Sequence, residues 1–173
     1  MSFEVRRERP GDAAQVTAVI EGAFGGPAVA DFAAAIRRSD GFVPELAFVA
    51  EDGGDIVGHT MLSRVELEGH GDVLILTPMS VRPDRQRQGV GAALVRTALA
   101  AADERGEPLV LCEGVPEYYP RFGFGSATEL GLLRPDARIP DAAWLVARLR
   151  AYDPGLRGRV VYPPFFPPPP DDA

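Results

Sequence analysis

The sequence predicts an α/β fold of the α+β kind, in which a mixed sheet is flanked by helices. Strand-like segments rich in β-branched residues alternate with segments whose apolar residues recur at helical spacing. Asp52-Gly53-Gly54 separates two of the strand-like segments and indicates a hairpin. A chain of 173 residues that is 46% apolar and 25% charged is long enough to bury one sizeable core.

The first half of the chain predicts the element order β-α-α-β-β-β. Asp12 is a candidate N-cap for the first helix, and Gly25-Gly26-Pro27 ends that helix before a second, short one begins. Alternating apolar residues, bounded by turn residues, mark each strand. The predicted strands cover residues 3–9, 46–51, 55–68 and 73–81.

The second half predicts the order α-β-α-β-β. Leu94, Val95 and Ala98 lie on one face of a helix that follows Gly91. The short apolar run 108–113 is typical of a buried strand. The remaining predicted elements are a short helix or loop within 116–124 that leads to a strand, a strand within 142–150 and a last edge strand over 158–166. We predict a single domain over residues 1–166 and an extended, partly disordered proline-rich tail over 167–173.

Composition excludes several classes of protein. The net charge of −7 argues against a nucleic-acid partner, and no run of about 18 apolar residues marks a membrane span. The N-terminus lacks the apolar core of a secretory signal, and Cys112 is the single cysteine, so no intramolecular disulfide is possible. These features predict a cytoplasmic protein. All 18 basic residues are arginines, which excludes mechanisms that need a lysine.

Two glycines, Gly89 and Gly91, open the third helix after a long loop. A Rossmann fingerprint needs a third small residue where this chain has Leu94, and a Walker P-loop needs a lysine. With the Rossmann and Walker interpretations excluded, the segment predicts an anion site built from the amides of the first helical turn. Arg85 and Arg87 would lie in reach of a pyrophosphate or 3′-phosphate. The alternative is an ordinary helix N-terminus with solvated arginines.

Pro78 lies inside the apolar strand that precedes this loop. Proline removes a ladder hydrogen bond, so the strand is expected to splay just before Met79, Ser80 and Val81. Unpaired backbone groups there would suit an extended ligand that carries amides. An open strand edge next to a phosphate site describes a seat for the pantetheine arm of coenzyme A.

The stretch "LTPMSVRPDRQRQGVGAALV", followed after one strand by "YYPRFGF", resembles the GNAT superfamily of acetyl-CoA-dependent N-acetyltransferases, and in particular a bacterial branch with a YYxRFGF segment. The resemblance implies a mostly antiparallel sheet of six to seven strands and acetyl-CoA as acyl donor. Two histidines and one cysteine at no recognised spacing argue against a metal site. It also implies that the backbone of Met79, Ser80 and Val81 holds the pantetheine and polarises the acetyl carbonyl. The residues that would cradle the pyrophosphate are Gln86, Arg87, Gln88, Gly89, Val90, Gly91 and Ala92.

Tyr119 matches the family tyrosine that gives a proton to the departing CoA thiolate. An unperturbed phenol, with a pKa of about 10, is a suitable acid for this step. Tyr118 is the alternate if the register differs by one residue, and without the resemblance an aromatic core residue would be the preferred interpretation.

Glu113 is the candidate general base, because it ends a buried strand close to where the acetyl group is expected. A solvated or structurally paired glutamate is the alternative, and the related branch is expected to have an apolar residue at this position. Glu117 is a weaker candidate. His59 could face the acceptor cleft, and His70 is expected to be solvated.

Cys112 could serve as the nucleophile of a ping-pong mechanism, but apolar neighbours are expected to raise its pKa, which favours a buried structural cysteine. The acidic balance favours a cationic acceptor, and we predict a primary amine of a small molecule. The sequence does not decide between a monomer and a homodimer. The competing class is a non-catalytic CoA-binding or regulatory protein on the same scaffold.

Overall fold

The computed structural model describes residues 2–171, and residue contacts divide the chain into two compact units. The first unit consists of Met1–Ser63 and Thr77–Ala101, and the second of Arg64–Leu76 and Ala102–Ala173. The strands β3 (Asp55–Leu67) and β4 (Gly71–Val81) contribute residues to both units. The predicted boundary between a domain and a tail at residue 166 stays a prediction, and residues 172 and 173 of that tail lie outside the described residues.

The strands form a mixed, mostly antiparallel sheet, which confirms the predicted fold class. Besides β3 and β4, they are β1 (Glu4–Arg7), β2 (Phe42–Asp52), β5 (Leu109–Glu113), β6 (Phe124–Ser126), β7 (Leu132–Leu133), β8 (Trp144–Arg148) and β9 (Gly158–Val161). Hydrogen bonding orders them β1-β2-β3-β4-β5-β8-β6, and β9 pairs with β3 and β7. The β4–β5 and β7–β9 pairs are parallel. The sheet has more strands than the predicted six to seven, partly because β7 has only two residues, too few to show an alternation of apolar and polar side chains.

Three α-helices lie where the sequence predicts them, namely α1 (Ala13–Phe24), α2 (Ala28–Arg37) and α3 (Val90–Glu104). Gly25 ends α1 with a φ of 75°, and its amide bonds to the Glu21 carbonyl at 2.8 Å. This left-handed C-terminus confirms the predicted helix break. No helix within residues 2–171 is both long and apolar enough to cross a membrane.

Two local predictions were right only in part. Asp12 occupies the N-cap position of α1, as predicted, but its side chain does not cap the helix, because its Oδ2 accepts the Arg9 amide and the Arg6 guanidinium, each at 2.7 Å. The carboxylate therefore fixes the turn before the helix rather than the helix itself. The last strand ends at Val161 instead of residue 166, since Pro163 and the prolines after it have no amide hydrogen for a ladder.

A buried charged cluster lies within the first unit. His59 is fully buried, and its Nε2 lies 3.0 Å from Glu8 Oε2, while Arg37 Nη2 lies 2.9 Å from Glu8 Oε1. Burial lowers the pKa of His59, against the opposing effect of Glu8. Burial would raise the pKa of Glu8, but His59 and Arg37 outweigh it and the net change is downward. Neutral His59 thus donates its Nε2–H to an ionised Glu8, and the positive charge of Arg37 balances the negative charge of Glu8.

We expect the free energy of unfolding to fall as the pH drops below about 6.5, the ordinary pKa of histidine. Because the folded-state pKa of His59 is lower, the unfolded chain binds more protons in the window just below that pH, and acid favours unfolding. The slope from one proton is at most about 1.4 kcal/mol per pH unit. Urea titrations at about pH 5.5 and about pH 7.5 measure it. His59→Gln should flatten the dependence and His70→Gln, in an exposed turn, should retain it; equal slopes in the wild type and His59→Gln would contradict the assignment.

Candidate active site

The end of β4, residues 79–81, carries the predicted pantetheine-binding backbone. The peptide bond before Pro78 is cis, and the Pro78 carbonyl accepts the Thr60 hydroxyl at 3.1 Å. The parallel ladder joins residues 74–75 of β4 to residues 110–111 of β5. Because Pro78 has no amide hydrogen, it cannot extend such a ladder toward the end of the strand.

Side-chain amides brace the loop between β4 and α3. Gln86 Nε2 donates to the Val81 carbonyl at 3.1 Å, and Gln88 Nε2 donates to the Asp84 carbonyl at 3.0 Å. Arg85 differs from the prediction, since its Nη2 lies 2.6 Å from the Asp52 carboxylate in the β2–β3 hairpin. These side chains hold the loop in shape, so the loop offers a ligand mainly its backbone amides.

The start of α3 has the backbone geometry of an anion site. Arg87 and Gly89 adopt left-handed conformations, with φ of 58° and 85°. The first helical hydrogen bond runs from the Ala93 amide to the Gly89 carbonyl at 3.0 Å. The amides of residues 90–92 therefore precede it and have no acceptor inside the helix. Together with the positive end of the helix dipole they can bind a phosphate.

Gly58 of β3 allows α3 and β4 to approach each other within the first unit. A Cβ at this position would lie 2.8 Å from Val90 Cγ1, 2.9 Å from Leu94 Cδ1 and 3.3 Å from the Ser80 carbonyl oxygen. One close approach thus seats the first turn of α3 beside the end of β4. The Ser80 hydroxyl at this place is buried and has no hydrogen-bond partner among the described residues.

Tyr119 begins a single 3-10 turn, Tyr119–Phe122, and is 7% exposed. Its ring makes edge-to-face contacts with Phe124 and Tyr118, with centroids 5.4 and 5.2 Å apart. Burial raises the pKa of Tyr119, and the neighbouring Cys112 raises it further. The phenol is therefore protonated at neutral pH, as a general acid must be, but its raised pKa makes it a weaker acid than the unperturbed phenol assumed from the sequence.

Gly114 lies under the ring of Tyr119. A Cβ on Gly114 would collide with Cδ2 and Cε2 of that ring and would lie 3.0 Å from Cys112 Sγ. Burial raises the pKa of Cys112 to about 12, although its interaction with Tyr119 acts in the opposite direction. The thiol is thus protonated and a poor nucleophile, as the sequence predicts.

Glu113 ends β5 and is exposed. The antiparallel register places it opposite Trp144 of β8. Its Oε2 accepts a hydrogen bond from the Tyr162 hydroxyl at 2.5 Å. Burial raises the pKa of Tyr162, and the charge of Glu113 raises it further, so the phenol is the donor. The carboxylate is therefore both paired and open to solvent.

The end of β5 carries a tyrosine on each of its faces. Successive side chains of a strand point to opposite faces, so Cys112 and Glu113 diverge. Tyr119 interacts with Cys112, and Tyr162 bonds to Glu113. The face of Glu113 is the one that Leu111 shares with the core of the second unit. The candidate acid and the candidate base thus lie on opposite faces of one strand end.

The other predicted candidates comprise one buried and two exposed side chains. His59 is buried in the cluster with Glu8 and does not line a cleft. His70 and Glu117 are exposed. Sequence reasoning missed Tyr162, because its bond to Glu113 spans 49 positions and no local pattern signals it.

The order of strands and helices matches that of known acetyltransferases. A family model described as an acetyltransferase (GNAT) domain matches residues 44–125. The uncharacterized N-acetyltransferase YjhQ of Escherichia coli K12 is 33% identical over 156 residues, which cover 86% of this chain and 86% of that protein. The chain belongs to the GNAT family of N-acetyltransferases, which confirms the predicted resemblance to that superfamily. The narrower resemblance to a branch with a YYxRFGF segment stays a prediction.

Solved structures with similar folds include two with the coenzyme bound. The GNAT acetyltransferase YhbS of Escherichia coli, in complex with CoA, superposes with a TM-score of 0.86 at 29% identity, over 95% of this chain and 91% of that one. A GNAT acetyltransferase of Brucella melitensis, in complex with acetyl-CoA, gives a TM-score of 0.78 at 28% identity, over 96% of this chain and 99% of that one.

Proposed function

We propose that this N-acetyltransferase moves an acetyl group from acetyl-CoA directly to the primary amine of a small molecule. The observation that carries the proposal is the set of free amides at residues 90–92, seated beside the end of β4 by the close approach at Gly58. The CoA and acetyl-CoA bound in the similar structures of YhbS and the Brucella melitensis enzyme support the identity of the donor.

The donor would be held mainly by backbone. Amides of residues 90–92 and of Gly89 would bind the pyrophosphate, with Arg87 adding a charge-assisted contact. The backbone of residues 79–81 would pair with the pantetheine amides, and one amide there would polarise the acetyl carbonyl. Gln86 and Gln88 take part by fixing the loop through their bonds to its carbonyls.

The chemical step needs a base, an oxyanion donor and an acid. Because Glu113 and Tyr119 lie on opposite faces of the strand end, they would reach the amine and the thiolate from opposite sides. Glu113 would take a proton from the ammonium group of the acceptor, directly or through water, and the freed nitrogen lone pair would attack the acetyl carbonyl. The oxyanion would be stabilised by an amide near residues 79–81. Collapse of the tetrahedral intermediate keeps the new C–N bond and breaks the C–S bond, and the nitrogen loses its second proton to solvent so that a neutral amide forms. Tyr119 would then give its proton to the CoA thiolate, and solvent would restore that proton.

The acceptor is proposed to be cationic. The net charge of −7 favours approach of a protonated amine over that of an anion. An exposed carboxylate at Glu113 would attract the ammonium group and then deprotonate it, so one side chain would serve both binding and catalysis.

Replacing Arg87 by alanine should raise the KM for acetyl-CoA about tenfold, because a charge-assisted phosphate contact is lost. The kcat should change little, since the contact is the same in the ground and transition states. Arg105→Ala removes the same charge at an exposed position just after the last turn of α3 and is the matched control. Equal KM values in the two variants would remove Arg87 from the donor site.

Release of CoA, followed with a thiol reagent, tests the proposal. Spermidine, kanamycin, tryptamine and a peptide with a free N-terminal alanine sample small cationic amines, an antibiotic, an aromatic amine and a protein N-terminus. We expect amine-dependent release above the no-amine background for at least one of the first three. Tight CoA binding, measured by calorimetry, with no release for any amine would favour a CoA-binding protein without catalysis. Release with the peptide alone would overturn the small-molecule assignment.

A further inference from the structure

The segment after β9 reaches back to the end of β5. Tyr162 directly follows β9, and its hydroxyl donates to Glu113 Oε2 at 2.5 Å. Because burial and the adjacent carboxylate raise the pKa of this phenol, it stays a donor at neutral pH. The exposed carboxylate of Glu113 therefore has one oxygen held by a side chain from a distant part of the chain.

Tyr162 is itself held by aromatic packing. Its ring centroid lies 4.6 Å from that of Phe166 and 6.4 Å from that of Trp144. The Trp144 indole is fixed in turn by a 2.9 Å hydrogen bond from Nε1 to the Leu132 carbonyl, and it is fully buried. A hydroxyl anchored by two ring contacts can fix the carboxylate that it meets.

The sheet register brings these groups to one face. Glu113 pairs with Trp144 across β5 and β8, and side chains directly opposite each other on antiparallel strands share a face. Trp144 belongs to the core of the second unit, against which Tyr162 and Phe166 pack. A continuous series of contacts thus runs from the core through Trp144 and Tyr162 to the exposed carboxylate of Glu113.

We infer that Tyr162 is a positioning residue for Glu113. A glutamate at an exposed strand end samples several rotamers, and a hydrogen bond to Oε2 selects those that keep that oxygen at the phenol. The second oxygen is then presented to the ammonium group in a fixed direction. The inference rests on the proposed role of Glu113 as general base and adds the side chain that orients it.

A double-mutant cycle tests this inference. Tyr162→Phe keeps the ring that packs on Trp144 and Phe166 and removes the hydroxyl. It should lower kcat about tenfold and leave the KM for acetyl-CoA unchanged, because deprotonation of the acceptor is impaired and donor binding is not. In a Glu113→Gln background the same substitution should have no further effect on kcat, since the group it acts through is already lost. Tyr152→Phe removes a phenol hydroxyl elsewhere in the second unit and should match the wild type.

The outcomes separate the two claims. If Glu113→Gln keeps the wild-type kcat, the proposed base is wrong, whatever Tyr162→Phe does. If Glu113→Gln is slow but Tyr162→Phe alone is as fast as the wild type, the positioning role is wrong and the base stands. An equal loss from Tyr162→Phe in both backgrounds, or a parallel rise in the KM for acetyl-CoA, would assign the tyrosine a merely structural role and overturn the inference.

Discussion

Tyr119→Phe is expected to lower kcat by about 10²-fold or more and to leave the KM for acetyl-CoA nearly unchanged. The substitution keeps the ring that packs on Phe124 and removes the proton donor. The wild-type phenol is protonated at neutral pH, so each turnover begins with the proton donor in place. Without it, the thiolate must leave unprotonated or take a proton from water. Steady-state kinetics with the amine that releases CoA fastest measures the loss.

Tyr118→Phe is the matched control, because it makes the same chemical change one residue earlier. Arg121 packs over the Tyr118 ring at 4.6 Å, and that contact survives loss of the hydroxyl. We expect kcat close to that of the wild type. A large loss from Tyr118→Phe together with a wild-type rate from Tyr119→Phe would transfer the acid role to Tyr118.

Gly114→Ala should lower kcat about 10- to 100-fold although it leaves the Tyr119 hydroxyl in the chain. The new Cβ would collide with the ring carbons Cδ2 and Cε2, so the ring has to move, since the Gly114 amide is held by a 3.0 Å hydrogen bond to the Ala143 carbonyl. A displacement of about 1 Å in a reacting group can cost about 10²-fold in rate. The measurement is kcat for Gly114→Ala and for the double variant with Tyr119→Phe. In the double variant the added methyl group should lower kcat little further, because the proton donor is already absent.

Gly125→Ala adds the same methyl group within β6, where nothing lies within 4 Å of the new Cβ. It should behave as the wild type in both rate and free energy of unfolding. A wild-type kcat in Gly114→Ala would show that the placement of the Tyr119 ring does not matter for turnover, and would count against its role as acid.

The backbone geometry of the proposed donor site could be predicted from sequence because it is local. Residues 78–92 form one continuous segment, and the conformations it needs follow from glycine, proline and the start of a helix. The structure gives Gly89 the left-handed backbone and leaves the amides before Ala93 outside the helical ladder. Arg85 was the exception, since its partner Asp52 comes from a hairpin more than thirty positions away.

The contacts of the proposed acceptor side could not be predicted from sequence, because they join distant parts of the chain. Tyr162 meets Glu113 only because β9 and β8 bring their neighbours to one face of the sheet. Sequence alone left Glu113 open between a base and a paired glutamate, and the structure gives the pairing. His59 illustrates the same limit, since only the packing of Glu8 and Arg37 reveals that it is buried and compensated.

The central claim is direct transfer of the acetyl group from CoA to an amine, and a single-turnover experiment with isotope-labelled acetyl-CoA tests it most directly. Enzyme in excess is mixed with the donor, with or without the fastest amine, then quenched and examined by mass spectrometry of protein and small molecules. We predict that all label passes to the acceptor as an amide, with one CoA released per label and no acetylated protein in either sample. Acetylated Cys112 that forms without the amine and is discharged on its addition would contradict the account.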